Sequence, residues 1–131
     1  MIGLDTNVLV RYIAQDDLKQ SAIANDLIQT LTVEAPGFIT QVALVELVWV
    51  MQRCYQTDSQ ALYTILDMLL RTPELMVENA GAALKALHVF GKTNADFADC
   101  LIAQCAQMAG CGYTVSFDKN AVKAAGMRML G

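Results

Sequence analysis

Short apolar runs alternate along this chain with longer stretches of helical periodicity. Ile2–Leu4 reads as a strand, and Thr6–Ile13 as a helix or turn-helix. Lys19–Leu31 carries Ile23, Leu27, Ile28 and Leu31 at helical spacing. Pro36-Gly37 punctuates the chain before a second strand, Phe38–Thr40. Gln41–Tyr55 is a mostly apolar helix, and Ser59–Arg71 a second one with Leu62, Ile65, Leu66, Leu69 and Leu70 on one face. Pro73 ends it, Leu75–Val77 is a third strand, and Ala80–Phe90 is a helix with Gly91 as its stop. Asp96–Ala109 is the strongest helical pattern, with Asp96 as N-cap, Gly110 at its end, and a core stripe of Phe97, Leu101, Ile102, Cys105 and Met108. A fourth strand at Tyr113–Ser116, a short helix at Asn120–Ala125 and a final edge strand at Met127–Leu130 complete the pattern. Strands separated by helices predict an α/β fold: a parallel sheet of four to five strands with helices on both faces.

Composition narrows this reading. The 131 residues form a single domain able to bury one core, and an apolar fraction of 55% favours a dimer or a protein partner. No apolar run reaches the roughly 20 residues that span a bilayer. No secretory leader pattern opens the sequence, so a cytoplasmic protein is expected. Cys54, Cys100, Cys105 and Cys111 form no CxxC pair, and the single His88 cannot complete a zinc site with them. Reduced, mostly buried thiols are expected instead. The net charge of −4 argues at first against a polyanion ligand. Four acids, however, open a helix or stand at, or within about two helical turns of, strand ends, and the other nine acids balance the nine lysines and arginines. A divalent cation among those four would remove the objection.

The four are Asp5, Glu46, Asp99 and Asp118. Asp5 follows the first strand and Asp118 the fourth, and each is equally a favoured helix N-cap. Asp96 and Asp99 fall at the start of a helix, where acids complement the dipole in any case. Glu46 interrupts an apolar stretch, with Val42, Ala43, Trp49 and Val50 one turn away on its face. A carboxylate buried there needs a cation, a hydrogen-bond network or an open cleft. Arg53, two turns along, is a competing ion-pair partner, and a solvated position is the third alternative. If the strands are parallel, their carboxyl ends share one edge, where open α/β folds place their sites. Carboxylates gathered there are the hard oxygen donors that magnesium and manganese prefer. No Ser-His-Asp or Cys-His set and no glycine-rich phosphate loop competes.

At these residues the sequence resembles the PIN-domain ribonucleases, in particular the small single-domain toxins of the VapC type. The matching pieces are Gly3-Leu4-Asp5-Thr6-Asn7-Val8-Leu9-Val10-Arg11-Tyr12, Val45-Glu46-Leu47-Val48-Trp49, Ala95-Asp96-Phe97-Ala98-Asp99-Cys100-Leu101-Ile102-Ala103 and Ser116-Phe117-Asp118-Lys119. In order and spacing they cover essentially the whole chain. The resemblance implies a PIN-like (Rossmann-like) three-layer fold and a magnesium- or manganese-dependent endoribonuclease that cuts RNA by in-line attack of water. It assigns Asp5, Glu46, Asp99 and Asp118 as catalytic metal ligands and Asp96 as an accessory acid. Thr6, Asn7 and Ser116 become supporting polar residues, with Ser116 standing where the family more often has Thr. Arg11 and Lys119 are candidate phosphate contacts, while Lys123 reads as solvated surface charge. The resemblance also implies a homodimer neutralised by a cognate antitoxin.

Two other readings are weighed against it. A phosphatase of the haloacid dehalogenase type also begins with a strand ending in Asp, but it needs a second Asp where this chain has Asn7, which cannot serve as a general acid. A non-catalytic PIN-like scaffold for binding or oligomerisation requires Glu46 to be spent on Arg53.

Overall fold

The computed structural model describes residues 1–131. Its contacts divide the chain into two compact units, Met1–Glu78 and Asn79–Gly131.

The first unit runs β1 (Ile2–Gly3), α1 (Thr6–Ala14), α2 (Leu18–Thr30), β2 (Gly37–Ile39), α3 (Gln41–Tyr55), α4 (Ser59–Arg71) and β3 (Leu75–Val77). The strands form a parallel sheet in the order β1-β2-β3, with Ile2 beside Gly37, and Phe38 beside both Gly3 and Met76. Parallel neighbours need long crossovers, and the helix pairs α1–α2 and α3–α4 supply them. Helix α1 packs against both α2 and α3, and α4 packs against β3. Leu9, Ile39, Leu44, Leu47, Leu62, Leu66 and Leu69 are all fully buried. Ile23, which the periodicity placed with Leu27 and Ile28, is instead exposed. Gly37 does more than punctuate. A Cβ there would come within 2.8 Å of Leu4 Cδ1 and 2.9 Å of Leu31 Cδ1, so its bare backbone lets both leucines close over the strand.

A polar network fixes the α1–α2 corner. The Arg11 guanidinium donates to Gln20 Oε1 (2.8 Å) and Asp16 Oδ1 (3.0 Å), and its backbone carbonyl accepts from the Ser21 hydroxyl (2.8 Å). The Tyr55 hydroxyl at the end of α3 donates to Asp16 Oδ2 at 2.7 Å. That bond, with Arg11 adding to it, holds the Asp16 carboxyl below the usual carboxylate range.

The second unit runs α5 (Ala80–Lys92), α6 (Phe97–Met108), β4 (Val115–Ser116), α7 (Lys119–Ala125) and β5 (Arg128–Met129). Helices α5 and α6 pack closely, with Ala82, Ala83 and Ala86 fully buried and Phe90 meeting Phe97 edge to face at 5.8 Å. Gly91 does not stop α5, which continues to Lys92 and ends where Thr93 turns extended. The buried stripe of α6 is Phe97, Cys100 and Leu101, rather than one reaching Ile102 and Met108, which are half exposed. Strands β4 and β5 pair in parallel, and the Arg128 guanidinium lies over the Tyr113 ring at 4.2 Å. Gly126, at φ +80°, supplies the left-handed cap that ends α7. The thiols are free, but Cys54 and Cys111 are exposed rather than buried. No helix is long and apolar enough to cross a membrane.

Truncating Leu44, whose side chain is fully buried, removes core contacts of α3 and leaves a void. Leu44→Ala is expected to lower the unfolding free energy by about 2–5 kcal/mol in a denaturant titration.

Candidate functional site

In the first unit the carboxyl ends of the three parallel strands share one edge of the sheet. Leu4 donates its N–H to Phe38 O (2.9 Å), which carries the pairing to the end of β1, and Asp5 comes next. Asp5 occupies the N-cap of α1: its carbonyl accepts from Val8 and Leu9, yet its carboxylate makes no capping bond. The contrast within the unit is informative. Asp17 accepts from Gln20 N–H at 2.9 Å and Asp58 from Ala61 N–H at 2.8 Å, as a capping carboxylate does. The Asp5 carboxylate is exposed and is touched by the Asn7 side-chain amide at 3.4 Å, on Oδ2 alone. Thr6 beside it is buried.

Glu46 lies in the second turn of α3, which follows β2. The buried stripe of this helix is Ala43, Leu44, Leu47, Val48 and Met51. Val42 and Trp49, read from the sequence as apolar company for Glu46, are 77% and 51% exposed. Glu46 therefore stands on the solvent face and carries no burial penalty. The ion pair with Arg53 is not formed either: the Arg53 guanidinium sits over the Trp49 ring at 4.7 Å. The chain has two salt bridges, Arg11–Asp16 and Arg71–Asp67, and neither involves a candidate acid.

The guanidinium of Arg11, a candidate phosphate contact, is hydrogen-bonded to Asp16 and Gln20. Glu78, which the sequence reading passed over, follows β3 as Asp5 follows β1. It accepts from Gln41 N–H through Oε1 at 3.0 Å while Thr40 Oγ1 accepts from Ala43 N–H at 3.1 Å, so the two cap α3 together. Applying the strand-end rule to Leu75–Val77 would have found it.

The second unit gathers Asp96, Asp99 and Asp118. Asp96 caps α6, its Oδ1 accepting from Ala98 N–H at 3.1 Å. Asp118 caps α7, its Oδ1 accepting from Asn120 N–H (2.8 Å) and Ala121 N–H (3.2 Å). Ser116 Oγ accepts from Asp118 N–H at 2.9 Å and so fixes the turn out of β4. The Asn120 side chain, another residue the sequence reading missed, donates to Asn94 O at 3.1 Å and ties the start of α7 to the loop before α6. Asp99, partly buried in the first turn of α6, has no hydrogen-bonding or ionic partner. Burial, then the charges of Asp96 and of Asp118, push its carboxyl above the usual range. Burial and the same neighbouring acids, Asp99 first, push the Cys100 thiol up to about 11, so it is an inert core group. Lys119 is exposed in the first turn of α7.

The donor chemistry fits a hard divalent cation. Every candidate acid keeps at least one carboxylate oxygen outside the hydrogen bonds described above, and no lysine or arginine neutralises any of them. Within neither unit do three carboxylate, thiol or imidazole groups come together closely enough to hold an ion by themselves. Magnesium commonly takes one or two carboxylates and completes its shell with water.

A model of the PIN domain matches residues 2–127, nearly the entire chain and both units. The chain belongs to the PIN domain family. Among curated proteins, a VapC ribonuclease of Aquifex aeolicus (strain VF5) is 23% identical over 117 residues, spanning 89% of this chain and 87% of that protein. The Rossmann-like α/β fold of a PIN domain accords with the parallel pairing of all five strands and the helices between them.

Burial of Asp99, with like charges beside it, gives the PIN domain a pH signature. Its raised pKa means the folded protein favours the protonated form, so that stability is full below the ordinary carboxylate range and declines as pH rises through the raised value. In chelator, Asp99→Asn is expected to melt higher than wild type at neutral pH and to lose that advantage in acid. Thermal melts across pH check this, and parallel wild-type and variant profiles would contradict it.

Proposed function

We propose that this PIN domain is a magnesium- or manganese-dependent endoribonuclease, the toxin of a type II toxin–antitoxin pair. The observation that carries the reading is the Asp99 carboxylate, held partly buried against Asp96 and Asp118 with no protein cation to offset them. A fold that keeps such repulsion, and leaves the Asp5 carboxylate without a capping bond at a cap position, is suited to an added cation. The similarity to a VapC ribonuclease supports RNA as the substrate.

In this reading Asp5, Glu46, Asp99 and Asp118 are the metal ligands. Bound magnesium or manganese would polarise the phosphodiester and lower the pKa of an attacking water. The chain's own groups do the positioning. Asp118 spends Oδ1 on the α7 cap, which fixes its plane and leaves Oδ2 to accept a proton from water. Asn7 steadies Asp5 Oδ2, Asp96 adds negative potential beside Asp99, and Ser116 holds the Asp118 backbone. Lys119, exposed in the turn after Asp118, is placed to meet a phosphate. A homodimer, a cognate antitoxin and a cytoplasmic setting belong to the same proposal; the exposed side chains of Leu18, Val42 and Phe117 give protein partners apolar surface to cover.

The test is cleavage of a panel of single-stranded and structured RNAs by wild type, Asp5→Asn and Asp99→Asn, with manganese or magnesium and again in chelator. Cutting that needs the metal and falls at least about a hundredfold in both variants is expected, in line with the loss of one strong electrostatic contributor. Equal cutting by all three proteins, or cutting that survives chelation, would reject the assignment. Manganese is also expected to raise the melting temperature of wild type more than that of Asp99→Asn, since a ligand that binds only the folded state stabilises it.

A further inference from the structure

Trp49 is the only tryptophan of the chain, and half of it lies in solvent on the exposed face of α3. Indole is a costly side chain to leave in water, and the contact its ring makes is with a cation. The Arg53 guanidinium rests over its ring at 4.7 Å, and Arg53 enters no salt bridge. Glu46, Trp49 and Arg53 are spaced by three and four residues, which puts them on one line along the helix. At 1.5 Å per residue, Trp49 is about 4.5 Å and Arg53 about 10 Å along the axis from Glu46.

We infer that Trp49 and Arg53 form a stacking platform for unpaired RNA bases beside Glu46. The inference rests on the ribonuclease reading above and adds a positioning role for two residues outside the acid set. An aromatic face accepts any base that is not already stacked, and an arginine plane extends the stack while its N–H groups face phosphate. The charge supports the choice of occupant. Arg53 is an unpaired cation on a face whose one acid, Glu46, is assigned to a metal, so an anionic strand meets attraction at both ends of the line. The platform selects single strands over duplex, because bases inside a helix offer no free face.

The experiment uses the full chain and a mixed-sequence RNA decamer, single-stranded or annealed to its complement, in magnesium. Stopped-flow mixing follows Trp49 emission before cleavage sets in, and steady-state cleavage gives KM and kcat for wild type, Trp49→Phe, Trp49→Leu and Arg53→Gln. The single strand is expected to quench Trp49 saturably, and the duplex is not. Trp49→Leu is expected to raise KM about fivefold or more with kcat within about twofold, Trp49→Phe to recover much of the loss, and Arg53→Gln to raise KM as well. Cleavage with unchanged KM in Trp49→Leu would overturn the platform and leave the ribonuclease reading standing. Absence of cleavage by wild type would count against that reading, and the quench alone would then decide the platform: none, or an equal response to duplex, overturns it. A change of sedimentation coefficient in Trp49→Leu with unchanged RNA binding would assign the face to a second copy of the chain and also overturn it.

Discussion

A carboxylate partly buried beside two like charges, with no protein cation to offset them, is the constraint on which the candidate site turns. Asp96, Asp99 and Asp118 are brought together by two helix starts and the turn after β4, and the Asn120–Asn94 bond ties those segments to each other. The arrangement costs stability, since partial burial of Asp99 weakens its hydration while two like charges stand near it. Arginines elsewhere in the chain show how such costs are normally offset: Arg11 holds Asp16, and Arg71 holds Asp67. The same device is absent from the candidate acids of both units.

Helix capping explains how the acids come to be where they are, and also why the sequence left their role open. Asp is favoured before a helix whether or not it has chemistry to do. Asp17 and Asp58 are caps and nothing more is required of them. Asp96 and Asp118 are caps of the same kind, each accepting backbone N–H groups through Oδ1, and what sets them apart is the partly buried Asp99 beside them. Asp5 departs furthest, holding the backbone position of a cap without the side-chain bond. Sequence spacing cannot tell Asp5 from the others, because the difference lies in a rotation of a few bonds about one carboxylate.

The secondary structure was largely legible because its periodicity was strong. The bounds of α3, α4 and β3 are those the pattern implies, and the parallel pairing follows from helices between strands. The errors share a cause. Apolar residues were counted toward the core wherever they fell at helical spacing, yet Ile23, Val42, Trp49, Ile102 and Met108 face solvent. An apolar side chain at the right spacing is buried only if another element arrives to cover it, and that is a property of tertiary packing. Gly91 was misread for a related reason: a glycine in the last turn of a helix permits a stop without enforcing one.

On the solvent face of α3 the same error reverses the electrostatics expected at Glu46. Placing Glu46 among buried apolar neighbours made an ion pair with Arg53 a strong competitor to any other role, because a buried carboxylate demands a partner. In solvent that demand disappears. Arg53 is then free to settle on Trp49, where the indole quadrupole holds a guanidinium as well as an exposed carboxylate would. The cation that the sequence offers Glu46 as a partner is thereby held on the aromatic ring. Of the apolar residues flanking Glu46, Trp49 acts through the cation it holds and not through burial of the acid.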